Sequence, residues 1–434
     1  MLLAHRLAQA GRQVTLFEAA PHLGGLTRAW QLGDITWDRY YHVTSLSDTV
    51  LRALLRELGL EQGMRWIQTR TGFYVDDKLY SMSNAWEFLN FPPLNLIDKF
   101  RLGATIFFAA QLKNWKKLEG IPVESWLRKW SGDRLTEKIW LPLLRSKLGE
   151  SYHTTSAAFI WATIQRYYAA RRTGLKKEMF GYVPGGYART LERFQEVLLA
   201  ENVSIRLGQA ARLVEAQEAG GVTLSFANGQ AESFDQVVLT VAAPIAARLC
   251  PRLSEEERAR LLGIQYLGII CASLLLQRPL AGFYVTNITD SWVPFTAVIE
   301  MSALVDPAQF GGHSLLYLPW YVSSDDPALA WPDAQIEERF VPALLRMYPD
   351  LKREEILTFR VSREKYVMAI PTLHYSDRLP PISTSLPGVH IVNSAHIVNG
   401  TLNVNETLQL AEKSVARLIS LPAAAPASPA RPTP

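Results

Sequence analysis

The stretch GRQVTLFEAAPHLGGLT, residues Gly11 to Thr27, decides how the rest of the chain is interpreted. Within it, QVTLFE alternates apolar and β-branched residues and predicts a strand that ends at Glu18. The preceding segment MLLAHRLAQA has apolar residues at helical spacing, and Gly11 predicts the end of that helix. The order helix, strand, acidic residue is that of a βαβ unit that binds a dinucleotide. In such a unit the acid accepts a hydrogen bond from a ribose hydroxyl.

The first strand and the Gly-rich turn of such a unit are not present ahead of this helix. The acid of the unit lies about 20 residues after the glycines, and counting back from Glu18 leads to a position before Met1. The absent strand is central in a doubly wound sheet, and the absent turn carries amides that bind pyrophosphate. We therefore expect the chain as printed to fold poorly or to bind its cofactor poorly, and an extension of about 30 upstream residues to restore binding.

The composition is that of a globular protein of two or three domains. The chain has 434 residues, of which 48% are hydrophobic and 20% charged. Cys250 and Cys271 can form neither a disulfide framework nor a thiolate zinc site, which favours a cytoplasmic location. No apolar run reaches the ~18 residues of a membrane span, and no signal peptide is evident. A net charge of +4 does not indicate nucleic-acid binding.

The charge is concentrated in one segment. From Lys99 to Glu178 there are 16 Lys and Arg against 6 Asp and Glu, a surplus of +10, together with five tryptophans. A basic, Trp-rich segment of this kind can lie on an anionic membrane surface. The alternative is a solvated helical face over an aromatic core, which is the more frequent meaning of a charge run. The sequence leaves peripheral membrane association through residues 99–178 as a possibility.

A pair of glycines follows the acidic residue. Gly24 and Gly25 are consistent with a simple loop, but glycines also let backbone amides approach a phosphate closely. With Glu18 before it, the segment EAAPHLGGLT resembles the double-glycine motif of the flavin amine oxidase superfamily, which includes protoporphyrinogen oxidases and carotenoid desaturases. The resemblance implies that FAD is the cofactor and that Glu18, Gly24, Gly25 and Leu26 contact it.

Later segments extend this resemblance along nearly the whole chain. EMFGYVPGGYARTLERFQEVL is similar to the family's glycine pair and following helix, and Ala211 lies where a backbone group of the family touches adenine. REKYVMAIPTLHYSD resembles the strand at the flavin end of the substrate cavity, with Ala369 and Pro371 in its A-x-P element. WLPLLRSKLGE, Trp140 to Glu150, resembles a stretch of uncharacterised bacterial members to which we assign no chemistry.

The C-terminal motif departs from the family at one point. The strand VHIVN is followed by Asn393 and Ser394, where the family has Gly-Asp, so a carboxylate that contacts the ribityl chain or the phosphate is missing. An asparagine can still form hydrogen bonds. The following helix is capped by Asn403 or Asn405, and its N-terminus favours the anionic part of the cofactor. The cofactor residues implied here are Asn393, Ser394, Leu402 and Asn403.

The fold implied by the resemblance is α/β. It combines a Rossmann-like FAD-binding domain of the glutathione reductase type with a substrate domain, a six-strand type of sheet covered by helices. We expect Ser47–Lys177 to be mostly helical, and GIICASLLL, PFTAVIEM and HSLLYLPWYV to be strands of the sheet. Asn228 and Gly229 predict a hairpin turn. The expected boundaries are 1–45, 180–245 and 385–420 for the discontinuous FAD-binding domain, 46–179 and 246–384 for the substrate domain, and 421–434 for a disordered tail.

The sequence offers few candidates for catalysis. It contains no HExxH, GxSxG or P-loop motif and no predicted metal site. His42 in WDRYYHV and Tyr366 are the catalytic candidates that the resemblance implies beside the flavin, and Tyr321 could line the same cavity. A structural histidine and aromatic core residues are the alternatives. In this family the cofactor supplies the reactive chemistry, and the protein orients the substrate and excludes water.

Three functions agree with these observations. The first is an FAD-dependent oxidoreductase that removes a hydride from a C–H or C–N bond of a small, hydrophobic substrate. The second is a non-redox flavin enzyme of the UDP-galactopyranose mutase type. The third is a truncated or degenerate relative that binds no cofactor. Irreversible bleaching of the flavin by substrate without oxygen distinguishes the first from the second, and the colour of the purified protein tests the third.

Overall fold

A computed structural model describes residues 1–172 and 179–420, with residues 167–172 described by their backbone alone. The predicted disordered tail, 421–434, and residues 173–178 of the basic segment lie outside these ranges. The helices are α1 (Leu2–Gln9), α2 (Thr49–Glu57), α3 (Ala85–Leu89), α4 (Leu96–Gln111), α5 (Val123–Ser131), α6 (Asp133–Leu135), α7 (Leu141–Leu148), α8 (Ala157–Arg172), α9 (Gly186–Ala200), α10 (Ala243–Leu249), α11 (Glu255–Leu262), α12 (Asp333–Met347) and α13 (Val404–Ser420).

The strands occur mostly in consecutive groups between these helices. They are β1 (Thr15–Glu18), β2 (Ala29–Leu32), β3 (Ile35–Asp38), β4 (Thr44–Ser45), β5 (Arg65–Gln68), β6 (Thr71–Val75), β7 (Lys78–Ser81), β8 (Met179–Tyr182), β9 (Ser204–Leu207), β10 (Ala211–Ala216), β11 (Val222–Phe226), β12 (Ala231–Phe234), β13 (Val237–Leu239), β14 (Tyr266–Leu276), β15 (Val285–Ile288), β16 (Ala297–Glu300), β17 (Ser314–Ser323), β18 (Ile356–Ala369) and β19 (Val389–Ile391).

Two separate parallel pairs carry the predicted nucleotide-binding segments. β1 pairs with β9, from Thr15 opposite Ser204 to Glu18 opposite Leu207. β13 pairs with β19 in a second two-stranded sheet. The predicted helix and the strand that ends at Glu18 are both confirmed. Residues 382–384 fold back beside β19, where the N–H of Ile391 donates to the carbonyl of Ile382 over 2.9 Å. Within the described ranges, β1 is paired along one edge only.

The largest sheet has seven strands within the described residues, in the order β18-β14-β17-β16-β15-β6-β7. Its pairs are antiparallel, except that β15 and β6 run parallel. The expected strands β14, β16 and β17 are confirmed. The expectation that residues 47–177 are mostly helical is wrong for β5, β6 and β7. Asp76 and Asp77 both adopt positive φ (51° and 57°) and form the two-residue turn between β6 and β7, a hairpin signal that the sequence analysis did not use.

β14 separates two apolar cores. All eleven of its residues are buried, and their side chains alternate between the two faces of the sheet. Ile269 and Cys271 belong to the core that also contains α5, α7 and α8, whereas Ile270 and Leu274 belong to the core beneath α12. The candidate functional residues described below lie mainly on the face of Ile269 and Cys271.

The tryptophans of the basic segment serve mainly as core. Trp126 and Trp161 are buried, Trp115 and Trp140 are partly buried against the same core, and Trp130 is 36% exposed. The alternative of a basic surface over an aromatic core therefore describes these side chains. Among residues 1–172 and 179–420, no helix combines the length and hydrophobicity needed to cross a bilayer.

Asn403 and Asn405, the two residues predicted to cap the C-terminal helix, cap different helices. The side chain of Asn403 accepts from the N–H of Glu406 (3.0 Å) and so caps α13 itself. Asn405 is buried, and its side-chain oxygen accepts from the N–H groups of Val50 and Leu51, each over 3.1 Å. Asn405 therefore caps α2, which is distant in sequence, and joins α2 to α13.

Replacing Asn405 with alanine is expected to lower the free energy of unfolding by about 1–3 kcal/mol, because two N–H groups at the start of α2 lose their acceptor. Denaturant unfolding measures the change. Lys413→Ala is the matched control, because Lys413 is an exposed residue of the same helix and should change stability by less than about 0.5 kcal/mol. Equal stabilities of the two variants would contradict the assigned role.

Candidate functional site

Glu18 lies where β1 ends beside the start of the next sheet. Its backbone carbonyl accepts from the N–H of Gln209 (3.0 Å), which places β10, beginning at Ala211, just beyond the acid. Its carboxylate accepts from the N–H of Ala20 over 2.9 Å and remains partly exposed. A carboxylate at this position has free acceptor capacity for a diol. Glu18 and Ala211, predicted at the adenosine end, are thus adjacent in the structure.

The N-terminus of α1 faces the same carboxylate. The α-amino group of Met1 is buried, and burial lowers its pKa to about 6, while attraction to Glu18 acts in the opposite direction. The first N–H groups of a helix and its dipole favour an anion at this end. A diphosphate beside Glu18 would therefore meet a positive helix end.

The two predicted glycines have different surroundings. Gly24 (φ 109°) packs so closely on Leu191 of α9 that a Cβ there would collide with the leucine side chain. Gly25 (φ 54°) has no atom within 4 Å of the position of a Cβ, so its backbone borders open space. Gly24 therefore fits the loop to α9, and Gly25 leaves room for a group that approaches the backbone.

The C-terminal motif and the double-glycine loop border the same apolar core. Leu26 and Leu402 both pack against the core of α5, α7 and α8. Arg166 of α8 donates to the hydroxyl of Thr401 over 3.3 Å and so holds the loop before α13. Two predicted cofactor segments that are almost 400 residues apart in sequence therefore share one core.

Asn393 uses its side chain within the protein. Its Nδ2 donates to the carbonyl of Val241 (2.9 Å), and its Oδ1 accepts from the N–H of Ala395 (3.1 Å). Asn393 therefore joins the end of β19 to the segment after β13 and starts the short turn of Ser394–His396. The amide thus uses one of its two N–H donors and one of its two acceptor positions within the protein, and the others remain for the cofactor contact that the resemblance implies. Ser394 is partly exposed at the start of that turn.

His42 belongs to a buried polar group with Asp38 and Tyr187. Its Nδ1 lies 3.9 Å from the Asp38 carboxyl, and its ring packs 5.1 Å from that of Tyr187. A cavity of about 20 Å³ lies among these side chains, enough for one water molecule. His42 Nδ1, Trp37 Nε1 and the Tyr187 hydroxyl have no hydrogen-bond partner within the described part of the chain.

Burial keeps this group uncharged near pH 7. It raises the pKa of Asp38 to about 8, although the N–H of Tyr187 donates to the carboxyl over 2.9 Å. It lowers the pKa of His42 to about 4, against a hydrogen bond with the Tyr40 backbone. His42 is therefore a neutral imidazole, which can accept or donate a hydrogen bond but is a poor proton donor at neutral pH.

The two other aromatic candidates lie in different places. Tyr366 packs edge-on against Tyr266, with ring centroids 5.4 Å apart, in an apolar cluster that does not include His42. The hydroxyl of Tyr321 lies 2.7 Å from that of Tyr41, and both rings pack against the core that contacts Leu26 and Leu402. Tyr321 thus shares a core with Leu26 and Leu402, and the place of Tyr366 beside the flavin stays a prediction.

Two residues of this region were missed by the sequence analysis. They are Lys147 and Tyr41. Lys147 of α7 places its Nζ 3.2 Å from the centroid of the Tyr321 ring, and Tyr41 immediately precedes His42. Burial and the neighbouring Tyr321 raise the pKa of Tyr41 far above that of a free phenol. Lys147 lies within WLPLLRSKLGE, which resembles a stretch of other family members. That resemblance marked the segment but did not indicate that Lys147 contacts Tyr321.

The residues present fit FAD. Glu18 has free acceptor capacity for a ribose, the N-terminus of α1 suits a diphosphate, and the open side of Gly25 admits a group that an alanine Cβ would obstruct. Leu26 and Leu402 provide an apolar wall for a flat ring system.

The contribution of Asp38 to the free energy of unfolding is expected to fall as the pH rises from about 6.5 to about 8, while the buried α-amino group of Met1, with its pKa lowered to about 6, acts in the opposite direction in the same window. In this window folded Asp38, whose pKa is about 8, retains a proton that the unfolded chain, with a pKa of 3.8, has lost. The slope is at most ~1.4 kcal/mol per pH unit. Between about pH 4 and 6.5 the unfolded chain instead binds a proton at His42 that the folded state lacks, and the two effects oppose each other.

Asp38→Asn keeps an acceptor for the N–H of Tyr187 and should remove this contribution, so that the stability of the variant rises relative to that of the parent as the pH increases from about 6.5 to about 8. Urea unfolding at several pH values compares the variant with the parent protein. Parallel profiles for the two proteins between pH 6.5 and 8 would show that Asp38 is not the group responsible.

Comparison with known proteins gives a consistent family and fold. The family model for flavin containing amine oxidoreductase matches residues 1–418. Solved structures with the same fold include a protoporphyrinogen oxidase-like protein from Exiguobacterium sp. 255-15, with 18% identity, a TM-score of 0.75 and 96% of each chain covered. Putrescine oxidase bound to putrescine matches with 17% identity, a TM-score of 0.72 and 96% of each chain covered.

Reduced UDP-galactopyranose mutase also matches, with 16% identity, a TM-score of 0.72, and 96% of this chain and 92% of the mutase covered. No curated protein matches the sequence significantly. The fold is therefore the α/β, Rossmann-like FAD fold that the sequence predicts. Because the family model spans almost the whole chain, the protein belongs to the flavin containing amine oxidoreductases and is an FAD-dependent oxidoreductase.

Proposed function

We propose that the protein removes a hydride from a C–H or C–N bond of a small, largely apolar molecule. The observation that carries this proposal is that Leu26, Leu402, Tyr41 and Tyr321 all pack against one apolar core, which also contains residues of the large sheet. FAD, when bound, accepts the hydride at N5 of its ring. The residues of the chain bind, orient and dehydrate the substrate.

Cofactor binding is assigned to the residues that the resemblance implies, with one change of emphasis. Glu18 binds the ribose, and Gly24 and Gly25 shape the loop that follows it. Leu26 and Leu402 contact the flavin end of the cofactor. Ala211 borders adenine, and Asn403 presents the N-terminus of α13. Asn393 acts by positioning the turn at Ser394, because its amide is engaged with the backbone. The cofactor domain comprises residues 1–45, 180–245 and 385–420, and the substrate domain comprises 46–179 and 246–384.

Tyr41, Tyr321 and Lys147 orient the polar end of the substrate. The raised pKa of Tyr41 keeps its phenol protonated, so it serves as a hydrogen-bond donor or acceptor and not as a base. The ammonium group of Lys147 over the Tyr321 ring supplies a positive charge at one end of an apolar region. A substrate with an apolar body and one acidic or electron-rich group suits this arrangement.

His42 has a positioning role in this proposal. Its neutral ring packs on Tyr187 and adjoins Asp38, so it sets the path of the loop that carries Tyr41. Tyr366 packs on Tyr266 at a different place and lines the neighbouring wall. Neither residue is required to transfer a proton in the hydride step, which agrees with the absence of a general acid–base pair.

A non-redox reaction of the mutase type is the second candidate, and the fold shared with UDP-galactopyranose mutase favours keeping it. The two functions differ in what happens to the flavin. An oxidoreductase leaves it reduced after each turnover until an acceptor arrives, whereas a mutase returns it to its starting state.

Substrate added without oxygen is therefore expected to bleach the flavin absorbance of the holoenzyme in stoichiometric amount. Admission of oxygen or another acceptor should restore it. Amines and reduced tetrapyrroles are the probes to test, because the similar structures include putrescine oxidase bound to putrescine and a protoporphyrinogen oxidase-like protein. The positive charge of Lys147 favours the acidic tetrapyrroles over cationic amines. A substrate that is converted by the pre-reduced enzyme while the flavin spectrum stays constant would favour the mutase instead.

Glu18→Ala is expected to weaken FAD binding by roughly 10- to 100-fold, because a carboxylate bound to a ribose diol contributes about 1.5–3 kcal/mol. Equilibrium titration of the apoprotein with FAD measures the dissociation constant. Glu137→Ala is the control, because it removes an exposed carboxylate from the helical region and should leave the constant unchanged. Equal affinity of the Glu18 variant and the parent would refute the assignment.

A further inference from the structure

We propose that α3 and α4 form a docking surface for an anionic lipid bilayer. Six large apolar side chains on these helices are more than half exposed, and we call them the apolar face. They are Trp86 (74%), Leu89 (54%), Leu96 (77%), Ile97 (65%), Phe100 (77%) and Phe107 (59%). Such a concentration of exposed apolar side chains on a short segment indicates an interaction site.

The members of the apolar face are close together. Leu96, Phe100 and Phe107 recur at helical spacing along one side of α4, with the small residue Gly103 between them. The Nζ of Lys99 donates to the carbonyl of Leu89 over 2.7 Å and holds the end of α3 against α4. The start of α4 is fixed by a capping box between Asn95 and Asp98. The apolar face is thus contiguous from α3 to the last turns of α4.

The opposite side of α4 anchors the surface. Leu102, Thr105 and Ala109 are buried, and the hydroxyl of Thr105 bonds to that of Ser131 on α5 over 3.1 Å. Gln165 of α8 donates to the carbonyl of Ala109 over 2.9 Å. α4 is therefore apolar on both sides: one side packs into the protein, and the other side is presented outward on a fixed scaffold.

The charges around the apolar face favour an anionic surface as the occupant. Between residues 85 and 117 the only two carboxylates are Glu87, which is engaged by Ser81 and Ser83, and Asp98, which is buried. The exposed cations Arg101, Lys113 and Lys117 form no ion pair within the described residues. Cations that border apolar and aromatic side chains are the pattern of helices that lie in the membrane interface.

A second copy of the chain fits this surface less well. In a two-fold dimer the same surface faces itself, so the unpaired cations that border the apolar face would lie near their own copies. α4 has 16 residues and a length of about 24 Å, shorter than the ~30 Å hydrocarbon core. The helix therefore lies along the bilayer surface.

This surface differs from the one expected from the sequence. The expectation rested on the tryptophans of residues 99–178, whose side chains lie mainly in the core. Four members of the apolar face, Trp86, Leu89, Leu96 and Ile97, precede Lys99. α8 links the surface to the candidate site, because its Gln165 contacts α4 and its Arg166 contacts Thr401. If the proposed function holds, an apolar substrate could enter from the bilayer by this side.

The test is co-sedimentation of the full-length protein with two kinds of lipid vesicle. One is phosphatidylcholine alone, and the other contains about 30% anionic phosphatidylglycerol, which gives the surface a negative potential that attracts basic segments. The parent protein is expected to bind the anionic vesicles. Leu96→Ser/Phe100→Ser should reduce binding at least tenfold. Leu199→Ser/Leu262→Ser is the matched control, because these leucines are 54% and 56% exposed on α9 and α11, and it should bind like the parent.

Arg101→Glu/Lys117→Glu should also weaken binding to the anionic vesicles, without loss of apolar surface. Equal binding of the Leu96/Phe100 variant and the parent would overturn the proposal. The proposal would also be overturned if the parent protein failed to bind the vesicles. A parent dimer in light scattering that the Leu96/Phe100 variant dissociates would then show that the apolar face binds a second copy of the chain. Flavin retention and circular dichroism of each variant confirm that it is folded, and the vesicle result does not depend on whether the proposed reaction is correct.

Discussion

The burial of β14 on both of its faces is the constraint on which the rest of the structure depends. A strand with eleven buried residues must be covered on each side, and each fully buried Leu or Ile contributes about 1.5–3 kcal/mol only if that cover is present. α12 supplies one cover, and α5, α7 and α8 supply the other. The helical region is therefore required by the sheet, and the candidate site forms where its edge meets the nucleotide-binding segments.

The neighbouring strand β17 transmits this arrangement to the site. The hydroxyl of Tyr317 donates to the carbonyl of Asp38 over 2.5 Å, and the hydroxyl of Tyr321 meets that of Tyr41. Both tyrosines point to the same face because they are an even number of residues apart on a strand. The loop of residues 38–42 is thus held at two points by one strand, and His42 and Tyr41 acquire fixed positions without a direct bond between them.

The helical region serves three purposes with one set of helices. Its inner side completes the core, the Lys147 end of α7 reaches Tyr321, and α4 presents the apolar face outward. These purposes are compatible because α4 is apolar on both sides and α8 lies between it and the candidate site. In the described part of the segment, Arg101, Lys113 and Lys117 are exposed, while most of its tryptophans fill the core.

The sequence by itself determined the local elements and the family. The helix before Gly11, the strand that ends at Glu18, the Asn228–Gly229 hairpin and the strands β14, β16 and β17 follow from periodicity and turn residues, which act over a few positions. The double-glycine motif after Glu18 pointed to FAD. These elements can be predicted from the sequence because the residues that determine each of them lie within about ten positions of each other.

Only the tertiary structure decided which distant residues meet. Asn405 caps α2 across more than 350 residues, Asn393 is occupied by backbone groups, and the hydroxyl of Tyr321 meets that of Tyr41. The same holds for Lys147, and for the choice between buried tryptophans and an exposed apolar face on α4. Burial and side-chain pairing depend on how helices and sheets pack, and a linear pattern does not record which side of an element will be covered.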